Sequence, residues 1–307
     1  MVTLASRIFT IIKKSYSLIR NSNPLLLSGA TAFFTTFAIA PILIILSHFL
    51  DLFFDNEALP KLFTKLATVF GKKATHDIEH IVENFLSFET STWVTIALSI
   101  FFYFVATTLL SVIRQSIHQL WGIRKKSSKK ISYPVKERII EIAMILLIAA
   151  LFVITLVINF SLTAFQALLG SYSDVTATIF VFILDVILSM LVVSAWFTML
   201  FRFMVEAHVR WKVALAGGIF TGILFNFGKF TLTKILVDGE IQDLFGPSSS
   251  IALILLFIFY CSFILYFGAS FTYEYAKAIR HPILPGKQAD TYNEEISKSE
   301  MGRQRPK

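Results

Sequence analysis

The chain has 307 residues, of which 55% are hydrophobic and 16% are charged, and its mean hydropathy is +0.70. Average soluble domains contain about 45–50% apolar and about 25% charged residues. A water-soluble globule could not bury this much apolar side chain, so the composition excludes a soluble enzyme and a disordered protein and indicates an integral membrane protein. The single cysteine, Cys261, excludes a disulfide framework and a multi-cysteine metal site.

Six apolar stretches are each long enough to cross a bilayer, whose hydrocarbon core requires about 20 helical residues. They are residues 25–50, 93–113, 139–162, 177–203, 213–236 and 250–276. We therefore predict an all-α membrane protein in which six transmembrane helices occupy residues 1–280. The fifth stretch is rich in glycine and contains Asn226 and Lys229. Such a composition is typical of a helix packed inside a bundle rather than one facing lipid.

Lysine and arginine are distributed unevenly between the connections. The N-terminal segment, the connections after the second and fourth spans, and the C-terminal tail together carry 22 of the 28 basic residues, whereas the other side carries five. Cytoplasmic loops of membrane proteins are enriched in Lys and Arg. The sequence therefore predicts that both termini are cytoplasmic.

The segment 51–92 is the long connection on the outer side. Apolar residues recur at helical spacing between residues 78 and 86 and face a charged side, which predicts an amphipathic helix on the membrane surface or capping the bundle. Residues 62–70 indicate a second such helix. Residues 281–307 combine prolines and many charges with few apolar side chains, so they predict a disordered cytoplasmic tail.

The connection after the second span contains a basic loop, residues 124–130, close to the bilayer. We expect this loop to contact anionic lipid headgroups rather than nucleic acid. The phosphate-binding pattern G-x-x-x-x-G-K-[ST] does not occur in the sequence. The sequence therefore predicts no cofactor. Any energy that the protein uses would come from a gradient or a partner.

Residues 76–80 spell H-x-x-E-H, the pattern of inverted zinc proteases. On a helix, His76 and His80 would lie one turn apart, with Glu79 near enough to act as a base. A catalytic zinc ion normally has three protein ligands, and the sequence nominates no third one. We therefore interpret the pattern as a solvated polar face and predict no metal site.

Small side chains form stripes along two predicted spans. Ala214, Gly218 and Gly222 recur every four residues in the fifth span, and a stripe of Ser, Ala and Thr runs along the first. Such stripes let helix backbones approach closely within lipid. Pro41 removes a backbone hydrogen bond in the first span and predicts a kink. The candidate cavity or packing residues are Pro41, Gly218, Gly222 and Asn226.

Ionisable side chains inside a membrane are energetically costly and mark candidate functional residues. Asp185 and Lys229 lie at similar depths in the fourth and fifth spans, roughly 10–12 Å below the outer surface at 1.5 Å per residue. We expect them to pair, and the pair either fixes the helix register or belongs to a polar pathway. Other ionisable residues fall near the cytoplasmic ends of their spans, where snorkelling or interfacial pairing accounts for them. These are Arg114, Glu141, Arg202 and Glu274.

Four sequence elements occur in an informative order. They are an A-F-x-x-x-x-A-x-x-P stretch at 32–41, the aliphatic–Trp element 117–122, the stretch 202–217, and the series Lys229, Phe245-Gly246 and Gly268-Ala269. This arrangement resembles the YihY/BrkB family of bacterial inner-membrane proteins, once labelled ribonuclease BN, over about residues 8–280. The family's Ser, Pro and Glu are replaced by Ala38, Val205 and Ser270, with Glu274 one turn after the last.

The resemblance implies six helices with cytoplasmic termini in the bacterial inner membrane, and a role in moving lipids or other envelope amphiphiles. No clustered His/Asp site supports a ribonuclease. We therefore predict a non-enzymatic transporter with a partly polar cavity lined by the first, fourth and fifth spans. The alternatives are an envelope anchor or scaffold without transport, and an intramembrane or metal-dependent enzyme. Membrane lipids are the expected partners, and a homo-oligomer or an envelope protein partner stays open.

Overall fold

The structure of the protein is a computed structural model. The described residues are 4–51, 60, 62–64, 66–67, 72–86, 92–125, 138–147, 150–151, 153–155, 157–158, 175–205, 207–238, 249–286 and 289–291. The helices are α1 (Leu4–Asn21), α2 (Pro24–Asp51), α3 (Lys72–Leu86), α4 (Thr92–Trp121), α5 (Val175–Met199), α6 (Trp211–Asp238) and α7 (Ser249–Ala278). Residues 138–147 are also helical, and a π-helical turn, Leu200–Met204, follows α5.

The long helices coincide with the apolar stretches of the sequence. Three stretches of described helix, Val186–Met204, Trp211–Leu232 and Ala252–Ala278, are long and apolar enough to cross a membrane. The all-α class is therefore confirmed. A third of the predicted span 139–162, including its last four residues, and the Phe245-Gly246 element lie outside the described residues.

Helix α7 is the central element of the bundle. It packs against α1, α2, α4 and α6, whereas α5 packs mainly against α6. Tyr266 and Ala269 on α7 are completely buried, as expected for a helix surrounded by others. The arrangement leaves α5 facing α2 and α4 across an internal space.

Helix α1 is amphipathic and was not expected from the hydropathy of the sequence. Its Ile11, Ser15 and Ile19 recur every four residues and are buried, because this face packs on α7. The connection to α2 is tight. Asn23 adopts a left-handed backbone conformation, with φ of 53°, and its carbonyl accepts the first backbone hydrogen bonds of α2.

Four short strands connect loops at one end of the bundle. β2 (Ala207–His208) pairs antiparallel with β3 (Leu284–Pro285), and β1 (Ile123–Lys125) pairs with β4 (Ala289–Thr291). The prediction of a disordered tail from residue 281 is therefore wrong for the strand residues, because their backbone groups bond to the loops after α4 and α5. Residues 292–307 lie outside the described part of the chain.

Helix α3 occupies the segment 72–86, where the sequence predicts an amphipathic helix. Ile78 and Val82 are buried and pack in one cluster with Leu43, Ile254 and Ile258 of α2 and α7. Helix α3 therefore covers one end of the bundle. Of the second helix predicted at 62–70, the described residues 62–64 and 66–67 are helical.

Candidate functional site: an apolar cavity with a charged cluster at one end

An open cavity of about 420 Å³ lies between helices of the bundle. This volume falls within the range of about 300–1,000 Å³ that is usual for small-molecule sites. Side chains from α2, α4, α5, α6 and α7 line it, together with Ile145, Leu151 and Thr155. On α2 it extends from Thr31 to Ile42, about 16 Å at 1.5 Å per residue. More helices therefore line the cavity than the first, fourth and fifth spans that the sequence predicts.

The lining of the cavity is almost entirely apolar. No charged side chain occurs among the described residues that line it. Its hydroxyl groups are already bonded: Thr35 and Ser262 donate to the carbonyls of Thr31 and Ile258, at 2.7 and 2.8 Å, and the Thr155 hydroxyl donates to the Leu151 carbonyl at 2.8 Å. An apolar cavity with satisfied hydroxyls offers water few partners and suits hydrocarbon.

A cluster of charged side chains lies at one end of the cavity. The Arg114 guanidinium donates to Glu141 at 2.5 Å, and Arg138 donates to the other carboxylate oxygen at 3.0 Å. Ser111 donates to Glu141 at 3.1 Å. Arg114 and Glu141 are only 4% and 1% exposed. Of the two explanations that the sequence offers, pairing rather than snorkelling applies to these two residues, which form a buried ion pair between α4 and the helical residues 138–147.

The position of this cluster follows from its neighbours in the sequence. Ile113, which precedes Arg114, lines the cavity, and so does Ile145, one turn after Glu141. The ion pair therefore lies beside the cavity, close to the end that is nearest to β1. A buried pair of this kind joins two helices in one arrangement, because either charge alone would be costly to bury.

Two of the sequence elements that carry the family resemblance meet next to this end. The indole N–H of Trp121 donates to the carbonyl of Ala269 at 2.9 Å, and Trp121 is almost fully buried. The hydroxyl of Tyr266, one turn before Ser270, hydrogen-bonds Thr31 and Ser116. The sequence alone gave no signal that these positions share one interior.

The glycines of the predicted stripe lie where α6 contacts α5. A Cβ atom on Gly218 would lie 2.6 Å from the Ser194 carbonyl oxygen, and one on Gly222 would lie 3.2 Å from the Ser194 Cα atom. Asn226 donates to the Gly222 carbonyl at 2.9 Å. Pro41 lies inside α2 and is buried. None of these four candidates is among the described residues that line the cavity.

The predicted partners Asp185 and Lys229 lie on α5 and α6. The side chain of Asp185 lies outside what the structure describes, and Lys229 is half-buried. Ser194 opposes Gly222 and Thr198 opposes Gly218, so this antiparallel register brings position 185 level with position 231. Lys229 is two residues away, an offset of about 3 Å along the axis. Their pairing stays a prediction.

We expect the variants Asp185→Asn and Lys229→Gln each to lower the free energy of unfolding more than the double variant does, because a single loss leaves one charge unpaired. SDS-induced unfolding of the purified protein measures this difference. Losses that simply add in the double variant would contradict pairing. A folded double variant without transport activity would favour the polar-pathway interpretation, and one with full activity would favour a role in helix register.

The remaining predicted ionisable residues lie away from the cavity. Arg202, in the π-helical turn, places its guanidinium carbon 5.7 Å from the ring centre of Phe203 and 5.6 Å from that of Trp211. Glu274 accepts a bond from the half-exposed Lys277 at 3.3 Å. Both arrangements are typical of side chains at the ends of membrane helices.

The H-x-x-E-H residues lie on α3. The Nε2 atoms of His76 and His80 are 3.1 Å apart, and both side chains are exposed. In the part of the chain that the structure describes, no group of three or more His, Cys, Asp or Glu side chains could hold a metal ion.

Comparison with known proteins places the chain in a family. It is 26% identical over 249 residues to a UPF0761 membrane protein of Pseudomonas aeruginosa strain LESB58, and equally to one of strain UCBPP-PA14. These matches cover 79% of this chain and 57% of the relatives, so the chain spans a little over half the length of the curated relatives it matches. No solved structure matches it. Residues 17–291 match the virulence factor BrkB family, as the sequence motifs predict, and the chain is therefore a membrane protein that belongs to this family.

Proposed function

We propose that this protein moves lipids or other envelope amphiphiles across or within the membrane, and that the apolar cavity holds their hydrocarbon chains. The cavity carries the proposal: it is large, apolar and bounded by helices long enough to span a bilayer. Burying a methylene group contributes about 0.8 kcal/mol. Burial therefore stabilises an acyl chain inside the cavity, whereas a polar headgroup would meet an almost entirely apolar lining.

In this proposal the charged cluster closes one end of the cavity. In this role the Arg114–Glu141 pair, which lies beside the cavity lining, would separate the hydrocarbon-lined space from the side that carries β1. An amphiphile would place its chain in the cavity and its headgroup beyond it. Movement of the headgroup past this end then requires the helical residues 138–147 to shift relative to α4.

The proposal includes the finer topology. We propose six membrane spans, an even number that puts both termini on the same side, and the cytoplasm of a bacterial cell as that side. In this proposal the protein acts in the inner membrane without enzymatic activity. The uneven distribution of basic residues supports this orientation. Membrane lipids are the proposed partners, and loop 124–130 contacts anionic headgroups. A non-transporting anchor or scaffold is the alternative that the next experiment separates.

We expect Val192→Trp to reduce lipid movement at least several-fold, because the indole ring would occupy the cavity that Val192 lines. Transbilayer movement of a fluorescent phospholipid in proteoliposomes measures this effect. Val186→Trp is the matched control, since Val186 lies on the same helix but is 43% exposed. The control should retain the activity of the unmodified protein.

The outcomes separate transporter from anchor. Activity that is abolished by Val192→Trp and retained by Val186→Trp supports transport through the cavity. Equal activity in empty liposomes and in liposomes with the unmodified protein would instead favour the anchor or scaffold.

A further inference from the structure

The apolar side chains of α1 occupy a wider arc of the helix surface than the face that is buried against the rest of the protein. Its buried face, Ile11, Ser15 and Ile19, packs against α7. Beside this face, Phe9 and Tyr16 are 70% and 56% exposed. Phe9 and Tyr16 are seven residues apart and therefore share one side of the helix. Exposed aromatic side chains in such a row are typical of an amphipathic helix that contacts a second apolar phase.

The charged side chains of α1 are all basic, which favours binding to an anionic surface. Between Leu4 and Asn21 the helix contains four basic residues and no acidic one. At about 100° per residue, Lys13 and Arg20 lie within about 60° of the Phe9–Tyr16 row, whereas Arg7 and Lys14 lie on the far side. Lys13 and Arg20 are exposed, so their ammonium and guanidinium groups are available to an external partner.

Exposed apolar side chains continue into the first turn of α2, an apolar helix that the sequence predicts to be the first membrane span. Leu25 and Leu26, in the first turn of α2, are 67% and 69% exposed. Only Ser22 and Asn23 separate α1 from this turn. Lipid around the start of α2 would therefore be only two residues along the chain from the end of α1.

We propose that α1 lies in the plane of the membrane interface, with Phe9 and Tyr16 inserted between lipids and with Lys13 and Arg20 bound to anionic phospholipid headgroups. Charge complementarity selects this partner over a zwitterionic lipid, because a Lys or Arg near an anionic surface contributes about 1 kcal/mol, or about fivefold in binding. This lipid contact is separate from the cavity.

The position of the row is tested on the full chain in a Cys261→Ser background. Spin labels are placed at Phe9→Cys and, as a matched control one residue later, at Thr10→Cys, which is also exposed. We expect the label at position 9 to collide with oxygen dissolved in the bilayer and the label at position 10 to collide with a water-soluble nickel chelate. Equal access of both labels to the nickel chelate would overturn the proposal. A label at position 9 that reaches neither reagent would also overturn it, because a protein surface or a second copy would then cover the row.

The choice of lipid is tested with a bimane fluorophore at position 9. Brominated phosphatidylglycerol should quench this fluorophore more than brominated phosphatidylcholine. The double variant Lys13→Gln/Arg20→Gln should lose most of that preference, by about fivefold for each cation removed. Arg7→Gln/Lys14→Gln removes the same charge from the far side and should keep the preference. Equal losses in the two double variants would contradict a specific role for Lys13 and Arg20.

Discussion

Glu141→Gln is expected to lower the free energy of unfolding by about 3–5 kcal/mol, the usual cost of breaking a buried ion pair. Glutamine keeps the size of the side chain, but it removes the negative charge that faces the buried Arg114. SDS-induced unfolding in mixed micelles measures the loss. The double variant Arg114→Met/Glu141→Leu should recover much of it, because it buries no uncompensated charge at this site.

The control for this prediction is a second carboxylate with a basic partner. The Glu274 side chain is 12% exposed, but its partner Lys277 is 49% exposed and keeps its charge in contact with water, so we expect this pair to contribute at most about 1 kcal/mol, as exposed pairs do. Glu274→Gln should therefore cost far less than Glu141→Gln. If the two substitutions cost the same, burial of the Arg114–Glu141 pair does not govern its contribution.

Gly218→Ala is expected to cost about 2–3 kcal/mol, within the range for overpacking a close contact. The new methyl group would lie 2.6 Å from the Ser194 carbonyl oxygen and 2.8 Å from the Thr198 backbone nitrogen. Both are backbone atoms of α5, so no side-chain rotation relieves the overlap and the two helices must separate. The same unfolding measurement reports this loss.

Gly29→Ala is the matched control for Gly218. Gly29 lies inside α2, and a Cβ atom there would meet nothing within 4 Å. Alanine is a better helix former than glycine by about 1 kcal/mol, so this variant should be neutral or more stable. A Gly218→Ala variant that is equally stable would show that α5 and α6 do not pack at this distance.

The membrane helices could be predicted from the sequence because apolar length is a local property. The helix limits differ modestly, as in α4, which continues to Trp121 where the predicted span ends at 113. Helix α1 was missed because its apolar and basic residues alternate around the helix, which leaves no long apolar run. The spacing of Ile11, Ser15 and Ile19 was the available signal.

The candidate site could be predicted only in part, because its contacts join residues far apart in the chain. Arg114 and Glu141 lie at the same ends of consecutive antiparallel spans, so the depth argument applied to Asp185 and Lys229 could have paired them. The bond from Trp121 to Ala269 crosses 148 positions and has no local signal. The strands at 284–285 and 289–291 were missed because their order depends on pairing with loops elsewhere.

Photo-crosslinking shows directly whether the cavity holds an acyl chain. The protein in lipid nanodiscs is irradiated with a phospholipid that carries a diazirine near the end of one acyl chain, and mass spectrometry locates the labelled residues. We predict labels on the cavity residues Trp196, Ile258 and Leu265, and their loss in Val192→Trp but not in Val186→Trp. Labels confined to exposed positions such as Ile183 and Ile187 would contradict the claim, because the chain would then contact only the outer surface of the bundle.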